Sequence, residues 1–224
     1  MRPPRFNHAD MASLGLATLG LALSALLYPR LPEQVPVHFD LHGVPDGFIP
    51  RSRGAFLLPV LALVSWGVVR HGGALLPARP RAAVARSPMD VVALSNVALL
   101  TALHLLMLYV ALGRAEAIGT PLALVCGVSC LLSGQFLPRL RRNPFAGFRN
   151  PWALRSDEVW QRTQRFGGYC LTLGGLATLS LAPFSTPAAL TALVVSGLAP
   201  ALYSFLLSAS PVRGADADSS DSSP

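Results

Sequence analysis

The chain has 224 residues, of which 52% are hydrophobic and only 13% are charged, and its mean hydropathy is +0.48. Soluble domains carry about 25% charged residues, so this composition excludes an ordinary soluble domain and predicts an all-α integral membrane protein. All 18 basic residues are arginine, and the formal net charge is +7. Because this charge lies between apolar runs, the expected partner is an anionic lipid bilayer, and no direct contact with nucleic acid is predicted.

Six apolar runs predict six transmembrane helices, at residues 11–27, 55–69, 91–112, 121–137, 169–182 and 188–207. The first run follows Arg2 and Arg5, as in a signal peptide. No clear small-x-small cleavage site follows it, so we predict a retained span and keep cleavage as the alternative. We expect Arg70, at the end of the second run, to reach toward the membrane surface.

The first loop, residues 28–54, alternates apolar and polar residues over positions 35–41, which is typical of a short half-buried strand. A turn is predicted at residues 44–47. His38, Asp40 and His42 would then share the polar face of the strand, where imidazole and carboxylate groups could hold zinc. A closed zinc site needs a fourth ligand, so no metal or other cofactor is predicted, and the three residues remain weak candidates. The alternative is a strand with its polar side in water.

The long polar loop at residues 138–168 holds seven arginines and two tryptophans. Ser156 is placed as a helix N-cap, with Asp157 and Glu158 in the first turn, and this helix should continue into the fifth span. The arginines can reach phosphates. Five aromatic residues are predicted to anchor the loop at the lipid interface: Phe145, Phe148, Trp152, Trp160 and Phe166. Two interpretations stay open, a segment that orders the bundle and a docking surface for a regulator. No catalytic residue is predicted.

Polar side chains also occur inside the predicted spans. Asn96, Thr101 and His104 lie on the third span and Gln135 on the fourth. Intramembrane polar groups indicate function by default, although a single interhelical hydrogen bond explains most of them. A small-solute or ion transporter whose path they line is therefore an alternative function. The lack of a carboxylate at mid-depth argues against proton coupling.

Arginine counting predicts the orientation. If both the N and C termini are cytoplasmic, 14 of the 18 arginines lie in inner segments. The positive-inside rule favours this arrangement. It makes residues 138–168 a cytoplasmic loop and residues 28–54 the first outer loop. The acidic tail, residues 211–224, is rich in serine and aspartate and is expected to be disordered.

Two stretches resemble known bacterial families. The outer loop resembles a membrane domain of unassigned function that often precedes an SdpI-like domain, through Pro36, His38, Gly43 and Asp46. The cytoplasmic loop resembles the signature of the SdpI family at Asn143, Phe145, Gly147, Arg149, Pro151, Trp152, Ser156, Asp157, Glu158, Trp160, Thr163, Arg165, Gly167 and Gly168. Two positions depart from the usual family pattern, where Asn150 replaces threonine and Gln164 replaces histidine.

The resemblance implies a multi-pass protein of the bacterial inner membrane that is not an enzyme. It implies an N-terminal domain at 1–76 and an SdpI-like domain at 88–210. The founding family member gives immunity to a secreted, membrane-attacking toxin and holds a cytoplasmic repressor at the membrane. The predicted function is therefore toxin resistance and signal transduction, with a secreted peptide toxin outside and a cytoplasmic repressor inside as partners. Besides the transporter, a metal-dependent membrane enzyme using the outer-loop histidines is an alternative.

Overall fold

The computed structural model describes residues 6–71 and 86–209, which fold into six helices and one β-hairpin. The helices are α1 (His8–Leu27), α2 (Arg51–His71), α3 (Arg86–Ala111), α4 (Gly119–Phe136), α5 (Asp157–Leu181) and α6 (Thr186–Ala209). The hairpin strands are β1 (Gln34–Phe39) and β2 (Pro45–Pro50). The predicted disordered tail lies outside the described residues.

Five helices are long and apolar enough to cross a membrane, namely α1, α2, α3, α4 and α6. The fifth helix, α5, is also long, but it begins with a charged stretch that includes Asp157, Glu158, Arg162 and Arg165. Its uncharged part starts only at Phe166. The predicted continuation of the loop helix into the fifth apolar run is confirmed, because α5 is a single uninterrupted helix.

The hairpin corrects the predicted turn. We expected the chain to reverse at residues 44–47, but Pro45–Pro50 forms the second strand and the reversal lies at residues 40–44. The reversal needs a residue with positive φ, and Gly43 supplies it at +79°. Val44, Pro45, Asp46 and Gly47 look like a turn by composition, but pairing with β1 outweighs that local preference.

Glycine contacts bring α4 and α5 together. A Cβ atom on Gly134 would lie 2.8 Å from the carbonyl oxygen of Gly168, and one on Gly175 would lie 2.8 Å from that of Gly127. Each helix thus presents two glycines seven residues apart to its partner. Small residues let helices approach closely in lipid, where van der Waals packing drives association.

The contacts between elements define two ends of the bundle. At one end the hairpin covers the start of α2, and its tip meets the start of α4, where the amide of Ile118 donates to the carbonyl of Gly43 over 2.9 Å. At the other end the segment before α5 packs on α2 and α3, through Val69 and Met89. The two stretches that resemble known families therefore lie at opposite ends.

Candidate functional sites at the two ends of the bundle

The hairpin residues singled out by sequence each shape the hairpin. Pro36 is buried, and the backbone of Gly43 is so close to Gly119 that a Cβ atom would collide with it. The imidazole Nδ1 of His38 lies 2.5 Å from a carboxylate oxygen of Asp46. These residues fix the hairpin onto the helices and fix its two strands to each other.

The three weak metal candidates do not share a strand face as predicted. Strand β1 ends at Phe39, so Asp40 and His42 belong to the reversal, and His38 pairs with Asp46 instead. Across residues 6–71 and 86–209, no three histidine, cysteine, aspartate or glutamate side chains gather closely enough to hold a metal ion. The carboxylate of Asp40 has a structural partner in the backbone of its own turn.

That carboxylate caps the tip of the hairpin. One oxygen of Asp40 accepts the amide N–H groups of His42, over 2.8 Å, and of Val44, over 2.9 Å. The Val44 N–H is the main reason that the pKa of Asp40 lies below its ordinary value of 3.8, and the His42 amide and imidazole add to the effect. The ionised form therefore holds the turn.

The lowered pKa of Asp40 predicts an acid-sensitive tip. A group with a depressed folded pKa stabilises the fold above its unfolded pKa, and this stabilisation is lost as the pH falls through the folded pKa, here below 3.8. We expect protection of the Ile118 amide from hydrogen exchange to fall in that range. Asp40→Asn keeps an acceptor oxygen that does not titrate, so its protection should vary less with pH. Identical profiles for the two proteins would contradict this assignment.

The segment at residues 143–168, called the motif segment below, is held by its own side chains. The carboxamide oxygen of Asn143 accepts the backbone N–H groups of Phe145 and Ala146, each over 2.8 Å. Asn150 bonds to Ala153 and, over 2.6 Å, to the hydroxyl of Ser204 on α6. Ser156 caps α5 by accepting from the amide of Val159, as predicted. The segment is therefore an ordered part of the fold rather than a plain connector.

Trp160 is a core residue, which corrects its prediction as an interface anchor. Its side chain is fully buried, and its indole N–H donates to the carbonyl of Leu140 over 2.8 Å. Trp152 packs edge-on against Phe205, with ring centroids 5.1 Å apart. Tryptophan suits a lipid interface by composition, but here the polar tip of Trp160 finds its partner inside the protein.

Gln164 joins α5 to the motif segment. Its side chain is fully buried, its Oε1 accepts from the Phe148 amide over 3.1 Å, and its Nε2 donates to the Phe148 carbonyl over 3.0 Å. Gly147 (φ +95°) passes so close that a Cβ atom would lie 2.6 Å from Oε1 of Gln164. The sequence marked Gln164 only as a departure from the family pattern, and its structural role was missed.

Removing this side chain should loosen the motif segment. Gln164→Ala leaves two partly buried backbone groups of Phe148 without their partner, at a cost of about 2–4 kcal/mol. Gln161→Ala is the matched control, because Gln161 is half-buried and its hydrogen bond to the Leu140 carbonyl is long, at 3.4 Å. That carbonyl also accepts from Trp160, so it keeps a partner when Gln161 is removed. The cost of Gln161→Ala should be below about 1 kcal/mol. Unfolding in mixed detergent, followed by circular dichroism, gives both values, and equal losses would contradict the role of Gln164.

The outer surface of this end is strongly basic. All seven arginines between residues 138 and 168 are exposed: Arg139, Arg141, Arg142, Arg149, Arg155, Arg162 and Arg165. Arg142 pairs with Asp157 and Arg162 with Glu158, both over 2.7 Å, but these pairs are solvent-exposed and therefore weak. Thr163, which lies between Arg162 and Arg165 in sequence, is fully buried and faces the interior of the protein. This end of the molecule therefore presents a concentration of exposed positive charge.

A buried ion pair joins the start of α1 to the end of α2. Arg70 Nη2 lies 3.0 Å from a carboxylate oxygen of Asp10, and both side chains are less than 10% exposed. The other carboxylate oxygen accepts from the indole N–H of Trp66, and Asp10 also forms a capping box with Asn7. The prediction that Arg70 reaches outward is wrong, because a buried carboxylate holds it. The spacing of Asn7 and Asp10 was the missed signal for a capped helix start.

The predicted intramembrane polar groups bond to different neighbours. Asn96 donates to Ser65 on α2, and His104 contacts the hydroxyl of Ser24 on α1 over 2.8 Å. Gln135 lies on an exposed face and donates to Thr172 on α5 over 3.1 Å. In the part of the chain that the structure describes, the buried Thr101 hydroxyl and the Nδ1 of His104 have no hydrogen-bond partner. The groups thus contact three different helices, which does not favour the transporter.

Comparison with known proteins gives two family matches. Residues 139–208 match the model of the SdpI/YfhL protein family, and residues 15–63 match a domain of unknown function, DUF1648. This SdpI/YfhL region contains α5, all but the last residue of α6, and all four arginines of the motif segment. The DUF1648 match contains the hairpin.

Two relatives from Bacillus subtilis (strain 168) support the assignment. The "Immunity protein SdpI" is 23% identical over 176 residues, which cover 79% of this chain and 82% of that protein. The "Uncharacterized membrane protein YbgB" is 38% identical over 50 residues, covering 22% of this chain and 55% of that protein. No solved structure matches the chain significantly. With its five apolar helices, this SdpI-like chain is a multi-pass protein of the cell membrane.

Proposed function

We propose that this chain is a non-enzymatic immunity and sensing protein that recognises a membrane-active peptide toxin at its hairpin end. The supporting observation is the similarity to "Immunity protein SdpI", which covers 79% of this chain and 82% of that protein. The hairpin supports the proposal because its tip is fixed to the start of α4 by the hydrogen bond from Ile118 to Gly43.

The proposal includes six spans with both termini in the cytoplasm. Arginine counting supports it, since 14 of the 18 arginines then lie inside. Besides the five apolar helices, the remaining span is the uncharged part of α5, whose glycines pack on those of α4. Alkaline phosphatase fused after residue 47 should be active, and fused after residue 150 it should be inactive. The reverse pattern would overturn the orientation.

We place a docking surface for a cytoplasmic regulator on the exposed arginines of the motif segment. The surface is basic and its backbone is fixed by Asn143, Asn150 and Gln164, so binding would not require ordering of a loop. Any relay from the hairpin would need two bundle states that the outer ligand binds unequally. The division into domains at residues 1–76 and 88–210 belongs to the same proposal, with α3 packing on both α1 and α2.

Survival of cells tests the central proposal. The protein is expressed in a sensitive bacterium, which is challenged with a panel of membrane-active peptides. We expect the minimum inhibitory concentration of at least one peptide to rise severalfold. Gly43→Val, which should detach the hairpin tip, is expected to abolish protection, whereas Gly67→Ala changes a helical glycine with open space around it. Unchanged survival across the panel, at verified expression, would contradict immunity as the main role.

A further inference from the structure

An apolar cavity of about 200 Å³ lies between the hairpin and three helices. Strand β1 forms its roof with Pro36, Val37 and Phe39. Its other walls come from α2, α3 and the start of α4, through Leu57, Leu58, Leu103, Leu106, Met107, Ile118 and Leu122. Val37 is 37% exposed and Leu57 is 40% exposed, so the cavity reaches the surface of the molecule. No titratable side chain lines it.

The roof is built from an irregular part of the hairpin. Pro36 pairs with Phe48 and His38 pairs with Gly47, so Val37 is an extra residue in β1. On the other strand Asp46 is the extra residue, between Gly47 and Pro45. Such bulges re-aim side chains and often lie next to binding sites. The bulge places Val37 at the cavity, and the His38–Asp46 pair bonds the two irregular positions to each other.

The volume limits what the cavity can hold. An apolar cavity of about 150 Å³ stays dry and binds benzene, whereas sites for drug-sized ligands occupy about 300–1,000 Å³. A cavity of about 200 Å³ therefore fits one aromatic ring or one branched aliphatic group, and it is too small for a long acyl chain.

The surroundings favour a peptide as the source of that group. Among the described strands, β1 pairs only with β2, so its other edge offers backbone groups without a strand partner. An extended peptide can pair with such an edge while its alternate side chains enter pockets beside it. A lipid chain has no groups that would use this edge.

We propose that this cavity binds one ring-sized apolar side chain of a membrane-active peptide. The proposal rests on the proposed function for the origin of the peptide, but the cavity itself is tested without it. The family-motif residues of the hairpin then have a common purpose, because Pro36 lines the cavity, Gly43 fixes the roof to α4, and His38 with Asp46 holds the bulges in place.

Photolabelling tests the cavity directly. The full chain in phosphatidylethanolamine/phosphatidylglycerol vesicles is irradiated with 3-trifluoromethyl-3-phenyldiazirine, and mass spectrometry locates the labelled residues. We expect saturable labelling at Leu57, Leu103 or Leu106 that excess toluene suppresses. Labelling that only rises in proportion to the probe, as on lipid-facing residues such as Leu132, would overturn the proposal.

Variants of neighbouring residues supply the matched comparison. Leu106→Trp fills the cavity and should reduce saturable labelling about tenfold, equivalent to about 1.4 kcal/mol, whereas Leu105→Trp changes an exposed leucine outside the cavity and should leave it unchanged. Leu103→Phe is a second filling variant, used if Leu106→Trp fails to fold. Equal labelling in filled and control variants would overturn the proposal.

Two further experiments distinguish a peptide from a lipid as the source of the bound group, and a failure of the cavity inference from a failure of the proposed function. Labelling of the cavity by a phospholipid with a diazirine on its acyl chain, suppressed by excess toluene, would overturn the peptide in favour of lipid. In the survival assay, a protected strain should lose protection with Leu106→Trp and keep it with Leu105→Trp. If protection exists and both variants keep it, the cavity inference fails and immunity stands. If the probe binds and no peptide is resisted, immunity fails and a ring-sized apolar site remains.

Discussion

Gly134→Ala is expected to destabilise the protein, although alanine is the better helix former. Alanine gains about 1 kcal/mol over glycine inside a helix. At Gly134, however, the added methyl group would lie 2.5 Å from the Thr172 hydroxyl and 2.8 Å from the Gly168 carbonyl. Backbone atoms cannot move aside as a flexible side chain can, so α4 and α5 must separate. We expect a net loss of about 1–3 kcal/mol, and more for Gly134→Leu.

The control is a glycine in a helix with free space around it. A Cβ atom on Gly197 in α6 meets nothing within 4 Å, so Gly197→Ala should stabilise the protein by up to about 1 kcal/mol. Reversible unfolding in mixed detergent, followed by circular dichroism, measures both variants. The opposite signs test the packing directly, and a stabilised Gly134→Ala would show that α4 and α5 do not approach as closely as the glycine contacts indicate.

Asp10→Asn is expected to cost about 3–5 kcal/mol, because it removes the negative charge of a buried ion pair with Arg70. Asparagine keeps nearly the same shape, but its single carbonyl oxygen can accept either from Trp66 or from the backbone N–H of Asn7, because these two donors use different oxygens of Asp10. The loss therefore reports the charge and one hydrogen bond rather than packing. Asp10 also lies in the first turn of α1, where the helix dipole favours a negative charge.

Glu158→Gln provides the matched control for this ion pair. Glu158 and Arg162 are 2.7 Å apart, closer than the 3.0 Å between Asp10 and Arg70, but their side chains are 70% and 58% exposed. Water and salt screen such a pair, so its loss should cost less than about 0.5 kcal/mol. The same detergent titration compares the two variants. Similar losses would contradict the conclusion that burial, rather than distance, sets the strength of these pairs.

The pattern of apolar residues was enough to predict the helices, because each span must satisfy its backbone hydrogen bonds within itself. The Ser156 cap and the continuity of α5 were predictable for the same local reason, since both depend on neighbours in sequence. The motif segment was also recognisable as a family signature, and residues 139–208 match that family. The motif segment was predictable as a basic surface because its arginines can be read directly from the sequence.

Tertiary contacts decided the remaining features. Local composition predicted a turn at residues 44–47, but pairing with β1 made Pro45–Pro50 a strand and moved the reversal to Gly43. Trp160 and Arg70 have polar tips that suit the membrane surface, yet Leu140 and Asp10 satisfy those tips inside the protein. Contacts between residues that are separated in sequence leave no periodic signal along the chain.

The sequence by itself determined that this is a helical membrane protein with two motif-bearing loops, because hydropathy, caps and arginine bias act locally along the chain. Only the tertiary structure decided what the motif residues contact. It showed the hairpin fixed to α4, the glycine contacts between α4 and α5, and the apolar cavity beneath Val37. These features exist only where segments distant in sequence meet, since close packing depends on the shapes of both surfaces at once.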